Sequence, residues 1–548
     1  MNRPLRFAIA VILAALPWSF SARAAGLDAL AGTVSSDAEG PMEGVLVSAR
    51  MAEGPLTITV VSDAQGRYRF PAEKLAPARY ALSIRAVGYE LESEKSADMA
   101  AGESRRVDLH LVKARDLASQ LTNSEWFASI PGSNEQKKTL LECMSCHTLE
   151  RIVRSHHDAA EFAAVLQRMA NYANNSTPLR VQRRVAERVP KAEAVRKAAE
   201  YLATINLSGH PTWAYALKTS ERPKGRATKV VITEYAMPRD TIAPHDVRHD
   251  AQGRIWFSEF GEQNLGLLDP KTGRVQEFAI PELKPGFPTG ALDLEADSAG
   301  SLWLALMFQG GLAKFDPHTQ SFTTWSVQAP LNNNGTQESM VMPARSGVDG
   351  KVWTNLVDRQ SILRLDLATG AFELIDPFKN APKGRAHSPY GMTVDAANNL
   401  YFMDFGDENI VRVDAKTGAA TIYPTPTPGS RPRRGMMDDE GRIWFAEFAA
   451  DRLGMFDTRT ESFREWQVPT AWTAPYDASI DKHGEIWSGG MSSDRVLRLD
   501  PATGRTVEYL LPHPTNIRRI LVDNSTEPVT FWAGNNHHAA IIKLEPSD

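Results

Sequence analysis

An aromatic residue recurs along the C-terminal part of the chain at Trp256, Trp303, Trp353, Tyr401, Trp444, Trp487 and Trp532, at intervals of 47, 50, 48, 43, 43 and 45 residues. An acid stands thirteen residues after each: Asp269, Asp316, Asp366, Asp414, Asp457, Asp500 and Glu545. A turn-former stands three residues before six of them, at Gly253, Gly300, Gly350, Asn398, Gly441 and Gly484. Units of this length, each holding several short β segments, must stack on their neighbours to bury an apolar face. Seven of them predict a seven-bladed β-propeller over residues 229–548. The seventh unit ends at Glu545 without a fourth strand, whereas VVITEYAMP at 230–238 stands alone before the first. Its Glu-Tyr-x-x-Pro matches Glu508, Tyr509 and Pro512, so this strand is expected to complete the last blade and remove an exposed edge.

The rest of the 548 residues divides by pattern. Residues 1–24 place Arg3 and Arg6 before an apolar run that Pro17 breaks, followed by Ala22-Arg23-Ala24, which reads as a cleaved signal peptide. The run is too short to span a bilayer and no later stretch qualifies, so an exported, periplasmic protein with no membrane span is expected. Residues 27–113 alternate in short segments separated by Gly, Pro and Asp, the pattern of a small antiparallel β-sandwich. Residues 114–207 turn helical, with periodic stretches at 135–142, 159–172 and 191–205. Residues 208–228 hold Gly209, Pro211, Pro223 and Gly225 and read as a linker. The fold class is therefore mainly β, with a small all-α domain between sandwich and propeller. At 42 % apolar and 23 % charged residues the chain is neither disordered, collagen-like nor a coiled coil, and a net charge of −5 argues against nucleic acid as a partner.

The only two cysteines stand in Cys143-Met144-Ser145-Cys146-His147, the C-x-x-C-H of covalent haem c attachment. Two thiols one turn apart add to the two vinyl groups while the adjacent His147 ligates the iron. A redox dithiol needs a strand before the motif, where NEQKKTLLE reads as helix, and a zinc site needs ligands that are missing. Met169, in EFAAVLQRMANY, is the candidate sixth ligand, with a histidine or an open position as alternatives.

Three resemblances add to this reading. GPMEGVLVSA, SDAQGRYRF and YALSIRAVGYE resemble carboxypeptidase regulatory-like, transthyretin-like domains, which implies a spacer or docking role. The stretch from Glu125-Trp126 through CMSCH and QRM to Glu200-Tyr201-Leu202 resembles the short cytochrome c domains of periplasmic quinohaemoprotein-type dehydrogenases. GRIWFSEF, NLGLLDPKTG, GRIWFAEF and RLGMFD resemble the streptogramin (virginiamycin) B lyase propellers, which open a cyclic depsipeptide by metal-assisted elimination. The family's His-x13-Glu pair falls on His245 and Glu259, which implies a catalytic role for both and a site for Mg2+ at the mouth of the ring. Blade 5 has Arg433 and Glu447 at that register, and blades 4 and 6 offer Tyr390 and Tyr476, with Asp404 also in blade 4. Blade 2 has Leu292 and Leu306, so His537 and His538 of blade 7, beside Asn535, are the candidates for the missing base. The polar residues are expected to face an apolar wall of Leu292, Leu306, Met342 and Leu356 across the mouth, a setting for one small organic ligand.

A fused haem points to an oxidoreductase or electron-transfer protein whose propeller binds or oxidises a small organic substrate and passes electrons to a periplasmic redox partner. The other two readings are a lyase with an accessory cytochrome and a non-catalytic binding module.

Overall fold

The computed structural model describes residues 28–548, so the signal peptide expected over 1–24 lies outside the described residues. Among the described residues no helix is long and apolar enough to cross a membrane. The repeats form six four-stranded antiparallel sheets, at 244–279, 294–326, 341–375, 389–424, 432–467 and 475–510. A further set comprises Ile520–Asp523, Thr530–Asn535, Ala540–Pro546 and the early strand Val230–Ala236. Each innermost strand lies beside that of the next set, and Pro244–His249 lies beside Ile520–Asp523, which closes a propeller-like ring.

The repeat has a local cause. In Asp-x-x-Gly-x-x-Trp the carboxylate of Asp250 accepts the amides of Gln252 and Arg254 at 2.9 and 3.0 Å and the Trp256 indole N–H at 3.2 Å. Gly253 takes the left-handed conformation this turn needs (φ +73°), and Asn398 takes the equivalent place with φ +62°. Asp297, Asp438 and Asp481 hold Trp303, Trp444 and Trp487 in the same way. The aromatic twenty-two residues on packs against the anchor, as in Trp303 on Trp325 with centroids 5.0 Å apart. The acid thirteen residues on caps the turn into the outer strand, as Asp269 does by accepting from the Lys271 amide. Glu545 departs from this role and bonds Lys74 of the sandwich instead.

Val230–Ala236 pairs antiparallel with Ala540–Pro546 along its whole length. Its second edge is not free, because Val231–Tyr235 pairs with Leu56–Val60 of the sandwich. The ring's last sheet therefore continues through Leu56–Val61, Leu46–Met51, Ala78–Arg85 and Lys95–Met99 into eight strands. The closing strand becomes an interior strand whose edges are both paired. The sandwich core holds Leu30, Val34, Val47, Tyr68, Phe70, Tyr80 and Leu109. It is not wholly antiparallel as expected, since Asp28–Ser36 runs parallel to Leu109–Lys113.

The helical segment comprises Asn123–Ser129, Asn134–Lys138, Glu150–Val153, Ala159–Met169 and Ala192–Ile205. Capping boxes at Thr122, Ser133 and Asp158 start three of these. The second helix stops short of the expected 142 because the chain tightens into the turn at Cys143–Ser145. The expected linker at 208–228 is a strap rather than a free spacer. Trp213 donates to Val153 O at 2.9 Å, Tyr215 to Ile205 O at 2.6 Å, and the Ser220 amide to Glu125 Oε1 at 2.7 Å. Phe127, Leu141 and Met144 of the helical segment share one apolar cluster with Phe260, Leu292, Met342, Phe448, Tyr476 and Met491 of the ring, so the helices cap its mouth.

Below the cap two arginines tie the sheets across the axis. Arg434 forks onto Asp246 at 3.0 Å through both Nη atoms and also bonds Asp293. Arg519 reaches Glu295 at 2.6 Å and Asp477 at 3.4 Å. All six residues are buried. Removing one partner of such a network leaves a buried charge uncompensated, at a cost of about 3–5 kcal/mol. Arg434→Met should therefore lower the unfolding free energy by about that much in a urea titration. Arg274→Met, on an exposed outer strand, should stay within about 0.5 kcal/mol.

Candidate functional site

Four innermost strands begin with a proline and a shift of register, between Pro244 and Val247, Pro389 and Met392, Pro432 and Gly435, and Pro475 and Ala478. Such a bulge re-aims the inserted residues, and here it brings two consecutive residues of a strand to the axis in two layers. Asp246, Arg434 and Asp477 form the ionic layer just described, and His245, Tyr390, Arg433 and Tyr476 form the layer beneath the cap. Tyr390 and Tyr476 meet through their hydroxyls at 2.6 Å, and the His245 ring lies 6.2 Å from that of Tyr476. Arg433 sits over Tyr476 at 4.0 Å, Phe405 at 4.3 Å and Phe448 at 4.4 Å. Strand ends expected to be open at the mouth are instead fully buried: His245, Glu259, Asp404 and Glu447 show 0 % exposure.

His245 Nδ1 lies 2.5 Å from Asp246 Oδ1, and Nε2 has no partner. Burial, with Arg518 and Arg434 nearby, pushes its pKa far below the usual histidine range, so the ring is neutral. His245 and Glu259 stand on neighbouring strands, where Pro244 pairs with Glu259. Glu259 gathers with Glu262 and Glu277, where burial and Glu277 push its carboxyl up to about 8. Arg239 bonds Glu262 and Glu277 there and supplies the cation that this cluster needs. Asp404 accepts from His387 Nδ1 at 2.7 Å and lies with Asp407 in a second group with metal-ligand types, where Arg385 bonds Asp407. In Glu447 both carboxylate oxygens are buried without a partner, and burial with Glu465 alongside pushes the pKa up to about 9. The expected apolar wall is split. Leu292 and Met342 pack under the cap, whereas Leu306 and Leu356 belong to cores between neighbouring sheets.

The Cys143–His147 segment lies over this layer. Cys143–Ser145 is a single 3₁₀ turn, both cysteines are free, and the Cys146 amide donates to Cys143 O; Cys143 packs against the apolar core. Burial, with Glu142 beside it, pushes the Cys143 thiol up to about 12. His147 Nδ1 lies 2.9 Å from Thr148 O, so this nitrogen carries the proton and Nε2 keeps its lone pair. Cys146 and His147 line a cavity of about 540 Å³ with Leu179, Met237, His537 and His538. Met169 ends its helix half-buried and is not among the residues lining that cavity. Of the candidate bases, His537 lines it with no hydrogen-bond partner on either ring nitrogen, while His538 stacks on His513 at 4.2 Å. Asn535 is structural, since its side chain accepts the amides of Asn516 and His537.

The turn is bonded to the ring by residues that sequence reasoning missed. Asn516 Nδ2 donates to Met144 O at 2.9 Å, Arg518 Nη2 to Ser145 O at 2.7 Å, and Arg431 Nη2 to Glu142 Oε1 at 2.9 Å. Arg518-Arg519 repeats the Arg433-Arg434 pair, but it stands fourteen residues before its anchor Trp532 instead of eleven, and that offset hides it.

Comparison with known proteins agrees with this architecture. Residues 379–547 match the virginiamycin B lyase family. Residues 29–112 match the carboxypeptidase regulatory-like domain. The chain carries both domains. A streptogramin B lyase structure superposes with a TM-score of 0.50 at 21 % identity, covering 59 % of this chain and all of that one. A virginiamycin B lyase from Staphylococcus aureus gives 0.49 at 18 % identity, over 57 % of this chain and 99 % of its own. The extracellular domain of a hybrid two-component system from B. thetaiotaomicron gives 0.43 at 17 % identity, over 56 % and 40 %. At these identities the likeness is one of fold. No match to the chain was found among curated proteins.

The raised carboxyl of Glu447 has a pH signature. The folded protein keeps a proton there up to about 9, whereas the unfolded chain releases it near 4.5. Stability is therefore lost as pH rises between those values. Glu447→Gln mimics the protonated form, so its melting temperature should exceed that of the wild type by a margin that grows from pH 5 to pH 9. A margin that stays constant would place an ionised carboxylate at this position.

Proposed function

We propose that the chain is an exported c-type haem protein in which a short cytochrome c segment closes the mouth of a seven-bladed propeller. In this reading it acts as an oxidoreductase or electron-transfer protein on a small organic substrate. The observation that carries the reading is the position of Cys143-Met144-Ser145-Cys146-His147. The one motif with redox chemistry is bonded, through Asn516 and Arg518, directly over the buried layer of His245, Tyr390, Arg433 and Tyr476.

The donor set fits haem c. The cysteines are free and one turn apart, His147 presents an unprotonated Nε2, and both Cys146 and His147 face a cavity. Bound there, the haem supplies a one-electron acceptor. The chain's own residues do the rest. The cap excludes water, the Tyr390–Tyr476 pair and Arg433 orient a ligand, and neutral His245, bonded through Nδ1 to Asp246, lines the same layer. Electrons leave through a periplasmic redox partner.

The family match at 379–547 favours a second reading, a metal-assisted C–O elimination with His245 as base and Mg2+ at Glu259. The fused C-x-x-C-H motif counts against it, because elimination moves no net electrons.

Intact mass of the mature protein, made in a host that matures c-type cytochromes, should show one covalent haem. Cys146→Ala should strongly impair attachment. A haem-free wild type overturns the reading. With haem present, reduction by candidate substrates separates oxidation from a Mg2+-dependent elimination that survives loss of the haem.

A further inference from the structure

Buried arginines ordinarily share their charge with a carboxylate. Arg434 and Arg519 do so, and the residue preceding each does not. Arg433 is only 5 % exposed, yet no acid of the described residues lies within ion-pair distance of it. Its neighbours are the rings of Tyr390, Phe405, Phe448 and Tyr476 and the sulfur of Met491, 3.7 Å from Nη1, and its Nε has no partner. Arg518 is 3 % exposed and spends its hydrogen bonds on neutral oxygens, Asn516 Oδ1 and Ser145 O. Glu142, the acid the cap holds over this face, bonds Arg431 instead.

A further polar group of this layer is also unspent. The Tyr390 and Tyr476 hydroxyls bond each other at 2.6 Å, which leaves one of the two hydroxyl protons without an acceptor. Two buried guanidinium groups outside any ion pair, with only the charge of Glu142 acting on them at longer range, a spare phenol proton and an aromatic wall together describe the complement of an organic anion.

We propose that this layer beneath the cap binds a carboxylate, held by the planar fork of Arg433 with Arg518 as the second positive charge. A guanidinium edge matches a carboxylate in two parallel hydrogen bonds, and the surrounding rings suit the carbon skeleton that carries it. Two sources have this chemistry: a soluble organic acid, and a propionate of a haem held at Cys143 and Cys146. Only the second source rests on the functional reading above.

The test uses the full-length mature protein with benzoate as the probe, titrated calorimetrically into the wild type, Arg433→Gln, Arg433→Lys and the exposed control Arg274→Gln. The haem reduction potential is measured on the same samples. A soluble-acid site predicts saturable benzoate binding that weakens at least tenfold in Arg433→Gln. Arg433→Lys, which keeps the charge without the fork, should fall between, and Arg274→Gln should match the wild type. A propionate site predicts no benzoate binding by the wild type but a lower haem potential in Arg433→Gln, because a cation that disfavours the oxidised haem has been removed. Melting temperatures establish that each variant is folded. Folded Arg433→Gln that matches the wild type in both benzoate affinity and potential overturns the proposal. If benzoate binds through Arg433 in a protein that carries no haem, the carboxylate site stands and the haem reading falls. If haem is present and neither quantity moves, the reverse holds.

Discussion

Two guanidinium groups at the axis, those of Arg434 and Arg519, tie together sheets that no hydrogen-bonded ladder joins. Each sheet is complete in itself, so the ring needs contacts that cross from one to the next. Arg434 binds Asp246 and Asp293 from two other sheets, and Arg519 binds Asp477 and Glu295. The same acids hold the backbone of the following sheet: Asp246 accepts the Leu294 amide, Asp293 the Val341 amide and Asp477 the Ile520 amide. Burial raises Asp293 and Asp477, the expected cost of crowding acids in a dry interior, and the two arginines counter it. The layer is at once a clasp and a floor. It spans the axis beneath the buried layer formed by the residues one position earlier on each strand.

The cap covers that layer from the other side. Its apolar residues join the core of the ring, Phe127 stacks on Trp472 at 4.9 Å, and three polar bonds fix the Cys143–His147 turn over the mouth. The Cys143–His147 turn and the ring around Arg433 and Arg518 are therefore packed as one unit. The sandwich contributes at a distance. By pairing Leu56–Val61 with Val230–Ala236 it buries the closing strand on both edges, so the joint where chain start meets chain end is the interior of an eight-stranded sheet.

Much of this was legible in the chain because its causes are local. The Asp-x-x-Gly-x-x-Trp turn needs only neighbouring residues, so the repeat could be counted, and the Glu-Tyr-x-x-Pro of the early strand marked its partner. The proline before His245, Tyr390, Arg433 and Tyr476 likewise marked the residues that reach the axis. What was hidden depends on pairing over long sequence distances. Nothing in Leu56–Val61 distinguishes a strand that will extend a remote sheet from an ordinary sandwich edge. The burial of His245 and Glu447 follows from a cap encoded about one hundred and three hundred residues earlier, respectively. His245 and Glu259 stand on paired strands, but strand register places backbones and does not report that Glu262 and Glu277 gather around Glu259. Trp213 and Tyr215 secure the supposed linker through contacts that Gly and Pro content does not report.

The account stands on the claim that the haem motif and the propeller mouth are one electrostatic unit, joined at Arg518. That arginine lies outside the motif by hundreds of residues, yet its guanidinium bonds Ser145 O and its charge acts on Cys146. A redox titration of mature Arg518→Ala against Arg518→Lys is the most direct test. Loss of the charge should lower the haem potential, since the oxidised form no longer has a cation beside it, and lysine should restore most of the difference. Equal potentials in folded wild type, Arg518→Ala and Arg518→Lys would contradict the account, because the haem would then lie away from the mouth of the ring.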